Sequence, residues 1–125
     1  MSIEENFNRE GLESFKKGFV TAFTKMSQAV HNIAVAKGWW ESERNFGEVI
    51  SLMHSELSEA LEAHRVDPLK PSTKIPEHTE VAEEFADVII RIMDYCAAEK
   101  IDVASALVSK VEFNTTRPHK HGKNY

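Results

Sequence analysis

The chain has 125 residues, 42% of them hydrophobic and 28% charged, a balance that indicates one globular domain over 1–125 and argues against disorder. Fifteen Lys and Arg against twenty Asp and Glu give a formal charge of −5, so the sequence lacks the basic footprint of a nucleic-acid binder. The charge is uneven: residues 110–125 form a basic C-terminal segment, with Lys110, Arg117, Lys120 and Lys123 against Glu112 alone. Cys96 is the single cysteine, which excludes an internal disulfide and fits a reducing compartment. The opening MSIEENFNRE has no apolar core of a secretory signal, and no stretch approaches the ~18 apolar residues of a membrane span. The expectation is a cytoplasmic protein with no membrane and no nucleic-acid partner.

Apolar periodicity predicts four helices. The first covers roughly 10–36, where Phe15, Phe19, Ala22, Phe23, Met26, Val30, Ile33 and Ala34 form one stripe, and Gly38 closes it. The second covers roughly 46–65, opened by Asn45 and Glu48 in a capping-box arrangement, with Val49, Leu52, Met53, Leu57, Ala60 and Leu61 as its apolar face. Pro68, Pro71 and Pro76 then mark a surface connection. The third covers roughly 77–98 and is apolar on nearly all sides, which predicts the most buried helix. The fourth runs from an N-cap at Asp102 to about 114, and the tail beyond reads as extended or irregular. No strand pattern competes, so the fold class is all-α, a four-helix bundle in which the second and third helices are antiparallel.

Four carboxylates interrupt the apolar faces. Glu56 and Glu59 lie three residues apart on the second helix, and Glu84 and Asp87 three apart on the third, a spacing that puts each pair on one helix face. An isolated pair of this kind is ordinarily a solvated face, and Glu62, Glu80 and Glu83 read that way. Glu56, in contrast, falls among Val49, Met53 and Ala60, and Asp87 among Phe85, Ala86, Val88 and Ile89. Antiparallel packing brings both pairs into one crevice, where four negative charges repel unless protons or a cation relieve them. Oxygen-only donors favour Mg²⁺, with Mn²⁺ as the alternative, over zinc. Asp94, seven residues after Asp87, reads as a supporting partner of the ligands. A di-iron centre is excluded, because neither His54 nor His64 follows a Glu by three residues.

The pattern E56-x-x-E59, a spacer, E84-x-x-D87 within EEFADVIIRIMD, and the closing NTTRPHKHGK resemble the MazG-like all-α nucleotide pyrophosphohydrolases. The resemblance covers roughly 45–125 and more loosely the first helix. It implies a MazG-type fold completed by homo-oligomerisation, as a homodimer or homotetramer, and Mg²⁺-dependent hydrolysis of non-standard or deoxy nucleoside triphosphates to monophosphate and pyrophosphate, a role in nucleotide pool sanitation. It also implies that Glu56, Glu59, Glu84 and Asp87 are the metal ligands. Water attack at the α-phosphorus needs a base, and Glu59 is assigned that part. Lys110 and Asn114 share one face of the fourth helix, which the resemblance turns toward the nucleotide, and Arg117 and Lys123 are suited to clamp phosphates. Trp39 and Trp40, with His31 about two turns earlier, offer surfaces for a base. Cys96 reads as a small buried hydrophobe. Two alternatives stand beside this reading: a phosphoribosyl-ATP pyrophosphohydrolase with the same metal chemistry, and a non-catalytic helical interaction module.

Overall fold

The computed structural model describes residues 9–125, so most of the opening segment read for a secretory signal lies outside the described residues. The order is α1 (Arg9–Ala36), α2 (Phe46–Val66), α3 (Glu80–Ala98) and α4 (Val103–Thr115), with a short 3₁₀ turn at His119–Gly122. The described residues are thus helical throughout apart from their connections and one isolated bridge, Pro71 with Thr79. No described helix is long and apolar enough to cross a membrane.

Each boundary has a local cause. The Asn45 carboxamide accepts the Glu48 N–H at 3.3 Å and opens α2. Thr79 accepts the Ala82 N–H at 3.1 Å, and this cap starts α3 three residues later than the apolar pattern suggested. Asp102 accepts the Ser105 N–H at 3.0 Å ahead of α4. At the end of α1, the Gly38 N–H donates to Val35 at 3.1 Å and the Trp39 N–H to Ala34 at 3.1 Å, the paired bonds of a Schellman motif. Gly38 takes φ +91°, and a Cβ there would meet Glu41 Oε1 at 3.1 Å.

Helix α3 is central. The Phe46 and Tyr95 rings meet at 5.4 Å in a tilted pair while Arg91 reaches Glu56, so chain position rises along α2 as it falls along α3, and the two are antiparallel. His31 of α1 meets Asp94 near the same end of α3. Helix α4 folds back along the first half of α1, where Lys16 pairs with Glu112. The core is small-residue rich, with Leu12, Val49, Ala60, Met93, Cys96 and Ala104 buried. Cys96 is buried as expected.

Two expectations are corrected. Among the described residues α3 packs mainly against α1 and α2, so Phe85 and Ile89 remain 52% and 48% exposed on the helix expected to be buried all round. Glu83, read as a solvated residue, is buried: it accepts a hydrogen bond from Ser72 and pairs with Lys74 at 3.0 Å. Ser72 Oγ also accepts the Lys74 and Ile75 N–H groups at 3.1 Å, which pins the proline-rich connection onto the start of α3.

Gly38→Ala should lower stability by about 1–2 kcal/mol, the cost of a side chain in left-handed backbone. Urea denaturation checks this, and an unchanged midpoint would mean that the turn is not held as described.

Candidate metal centre

Antiparallel packing sets Glu56 of α2 against Glu84 and Asp87 of α3. One carboxylate oxygen from each lies within 4.8 Å of the others. Glu84 and Asp87 share a face by their spacing, and Glu56 is buried within the apolar stripe of α2. The fourth residue expected here, Glu59, stands at the exposed rim beside Glu84 and outside this tight group.

Crowding sets the protonation. Two carboxylates ~4 Å apart repel by about 4 kcal/mol at an effective dielectric constant of ~20. Keeping a proton at pH 7 on a carboxyl of ordinary pKa 4.5 costs about 3.4 kcal/mol, so crowding of this order suffices to keep one. Burial, then contact with the Glu56 and Glu59 carboxyls, pushes Glu84 up to about 8. Burial and the charges of Glu56 and Glu83 also raise Asp87. Burial alone would raise Glu56 too, but the Arg91 guanidinium and hydrogen bonds with the Glu84 and Glu59 carboxyls together outweigh it and hold that carboxyl below its usual range. Arg91 donates to Glu56 Oε1 through Nε at 2.8 Å and lies 2.7 Å away through Nη2.

The residues present fit a hard divalent cation. Glu84 Oε2 is buried with no hydrogen-bond partner among the described residues, an oxygen left open to a cation. Every donor atom in the group is a carboxylate oxygen, the set that suits Mg²⁺ or Mn²⁺.

A cavity of about 410 Å³ opens beside the cluster, between α1, the Trp39–Arg44 connection, α2 and α3, with Glu56 and Asp87 in its wall. Trp39, half exposed, lines it, and the guanidinium carbons of Arg44 and Arg91 lie 6.0 and 5.7 Å from its ring centroid. Trp40 and His31 are held differently. Trp40 Nε1 donates to Asp94 Oδ1 at 2.9 Å, and His31 Nδ1 lies 2.8 Å from the same oxygen. Their rings meet edge to face at 5.2 Å, and neither lines the cavity, which Asp94 does. Asp94, expected to support a metal ligand, instead gathers Trp40, His31 and, at 3.4 Å, Arg44. Lys110 and Arg117 lie over the Phe113 ring at 4.8 and 5.8 Å, and neither they nor Asn114 and Lys123 line the cavity of the single chain.

Arg91 and Arg44 are the site residues that sequence reasoning passed over. Arg91 lies four residues after Asp87 on one helix face, a spacing that was there to be read. Arg44 carries no such signal, because a connection brings it in. Compared with family models, curated proteins and solved structures, the chain matches none.

The raised Glu84 carboxyl fixes a sign. The metal-free fold favours its protonated form, so that contribution is complete below about pH 4.5 and is lost as pH rises through about 8. Asp87 acts in the same sense, whereas the lowered Glu56 contributes fully throughout this window. Thermal unfolding in a chelator should therefore show Tm falling from about pH 5 to about pH 8, with a shallower fall in Glu84→Gln. Equal slopes in the two proteins would contradict the assignment.

Proposed function

We propose that this protein is a MazG-like, Mg²⁺-dependent nucleoside triphosphate pyrophosphohydrolase. The observation that carries the reading is the convergence of Glu56, Glu84 and Asp87, one with an unsatisfied buried oxygen, beside a cavity walled by an aromatic ring. These three would hold the ion, with Glu59 at the rim. When bound, the ion supplies charge neutralisation for phosphate oxygens.

The chain's own groups supply the rest. Trp39 presents a half-exposed ring for a nucleobase. Lys37, Arg44 and Arg91 line the same cavity and offer cationic donors to phosphate or to base oxygens. Asp94 fixes His31 and Trp40 behind them, so the cavity wall is preorganised. Glu59, free of the tight group, takes the proton from a water as its oxygen bonds to the α-phosphorus and the bond to the β-phosphate oxygen breaks. Lys110 and Asn114 lie away from this cavity, so their part in the reading requires a second copy or a bound substrate to bring them in.

The exposed Phe85, Ile89, Leu57 and Leu61 favour a homodimer or homotetramer in which α2 and α3 complete their packing.

The test is pyrophosphate release from a panel of standard and modified NTPs and dNTPs, with sedimentation of the same preparation. Mg²⁺-dependent release is expected, abolished by Asp87→Asn and lowered about 10²–10⁴-fold by Glu59→Gln, from a dimer or larger. A folded monomer releasing nothing from any of them would overturn the reading; release only from phosphoribosyl-ATP would replace it with that narrower activity.

A further inference from the structure

The Arg91–Glu56 pair poses a problem for any cation that enters the cluster. Among the described residues, Glu56 is the member of the acid group that pairs directly with a cationic side chain. The two guanidinium contacts, Nε at 2.8 Å and Nη2 at 2.7 Å, converge on the same oxygen, Oε1. A divalent cation bound through that carboxylate would sit within a few ångströms of the guanidinium, with two positive species sharing one ligand. The guanidinium also has somewhere to go. Arg91 lines the cavity, and its carbon already lies 5.7 Å from the centroid of the half-exposed Trp39 ring. A planar cation with an aromatic face at hand and a polar cavity in front can leave the carboxylate without being stranded.

We propose that Arg91 is an internal stand-in for the metal: it neutralises Glu56 in the metal-free protein, releases that carboxylate when a divalent cation binds, and turns into the cavity, where it meets oxygen acceptors of a bound ligand. The inference rests on the metal reading of the acid cluster. It makes the two binding events one linked process. The cation frees the guanidinium for the ligand, and a ligand that captures the guanidinium removes the cation's competitor, so each tightens the other by the same factor. It also explains why a bulky, half-buried arginine stands one turn beyond Asp87, within a crevice that collects anions.

The experiment uses the full chain. The Arg91 side-chain N–H is followed by ¹⁵N NMR in chelator and at saturating Mg²⁺, with Mg²⁺ affinity measured in parallel by calorimetry. In chelator the Arg91 Nε–H should be protected from exchange, and Mg²⁺ should remove that protection by about tenfold or more, the equivalent of one charge-assisted hydrogen bond. Asp87→Asn should abolish both the calorimetric signal and the NMR change. Arg91→Lys, which keeps the charge but loses the fork, should bind Mg²⁺ about tenfold tighter than the natural chain. If Mg²⁺ binds, is lost in Asp87→Asn, and yet leaves the Arg91 Nε–H protected, then Arg91 keeps Oε1 while the ion uses other oxygens; the switch is wrong and the metal site stands. If no Mg²⁺ binds at all, the metal reading falls and takes the switch with it.

Discussion

Three carboxyl groups share a crevice between two helices, and among the described residues only Glu56 is in direct ion-pair contact with a cation. Glu56 has Arg91; Glu84 has burial and the neighbouring Glu56, Glu59 and Asp87, and Asp87 has burial and the charges of Glu56 and Glu83. A core built for stability alone would place leucines there, since replacing buried charge by well-packed apolar groups is commonly neutral or favourable. The crevice therefore carries a standing cost, which protons offset in the metal-free chain and a divalent cation can offset better. The position of Glu56 in an apolar stripe, the unsatisfied Glu84 oxygen and the long reach of Arg91 across the helix pair all follow from it.

The rest of the fold holds this crevice open on one side. The Schellman turn at Gly38 ends α1 and delivers two adjacent tryptophans to different tasks. Trp40 is tied with His31 to Asp94, which itself lines the cavity. Trp39 faces the cavity, flanked by two guanidiniums, each of which also reaches a buried carboxylate. On the far side, the Ser72–Glu83–Lys74 cluster fastens the proline-rich connection to the first turns of α3, one turn before Asp87. Both ends of the site are thus anchored by polar groups that a hydrophobicity pattern does not register.

This divides what the sequence could tell from what it could not. Helix number, the caps at Asn45 and Asp102 and the antiparallel pairing of α2 and α3 were legible, because apolar period and capping residues are local signals. The convergence of Glu56, Glu84 and Asp87 was legible too, since helical spacing and antiparallel packing were enough to infer it. The tasks of Asp94 and Glu83 were not. Their partners, Trp40, His31, Arg44 and Ser72, arrive from turns and connections whose paths no periodicity encodes. The burial expected of α3 failed in one chain for a related reason: an all-round apolar helix states that it wants cover, not which element provides it.

The central claim is that the crevice is a divalent-cation site. Anomalous diffraction from a crystal soaked in Mn²⁺ tests it most directly, because the ion is located without reference to any activity. The account predicts a peak at about 2.0–2.3 Å from oxygens of Glu56, Glu84 and Asp87, absent in Glu84→Gln crystals treated alike. Saturating Mn²⁺ with no peak among these three carboxylates would contradict it.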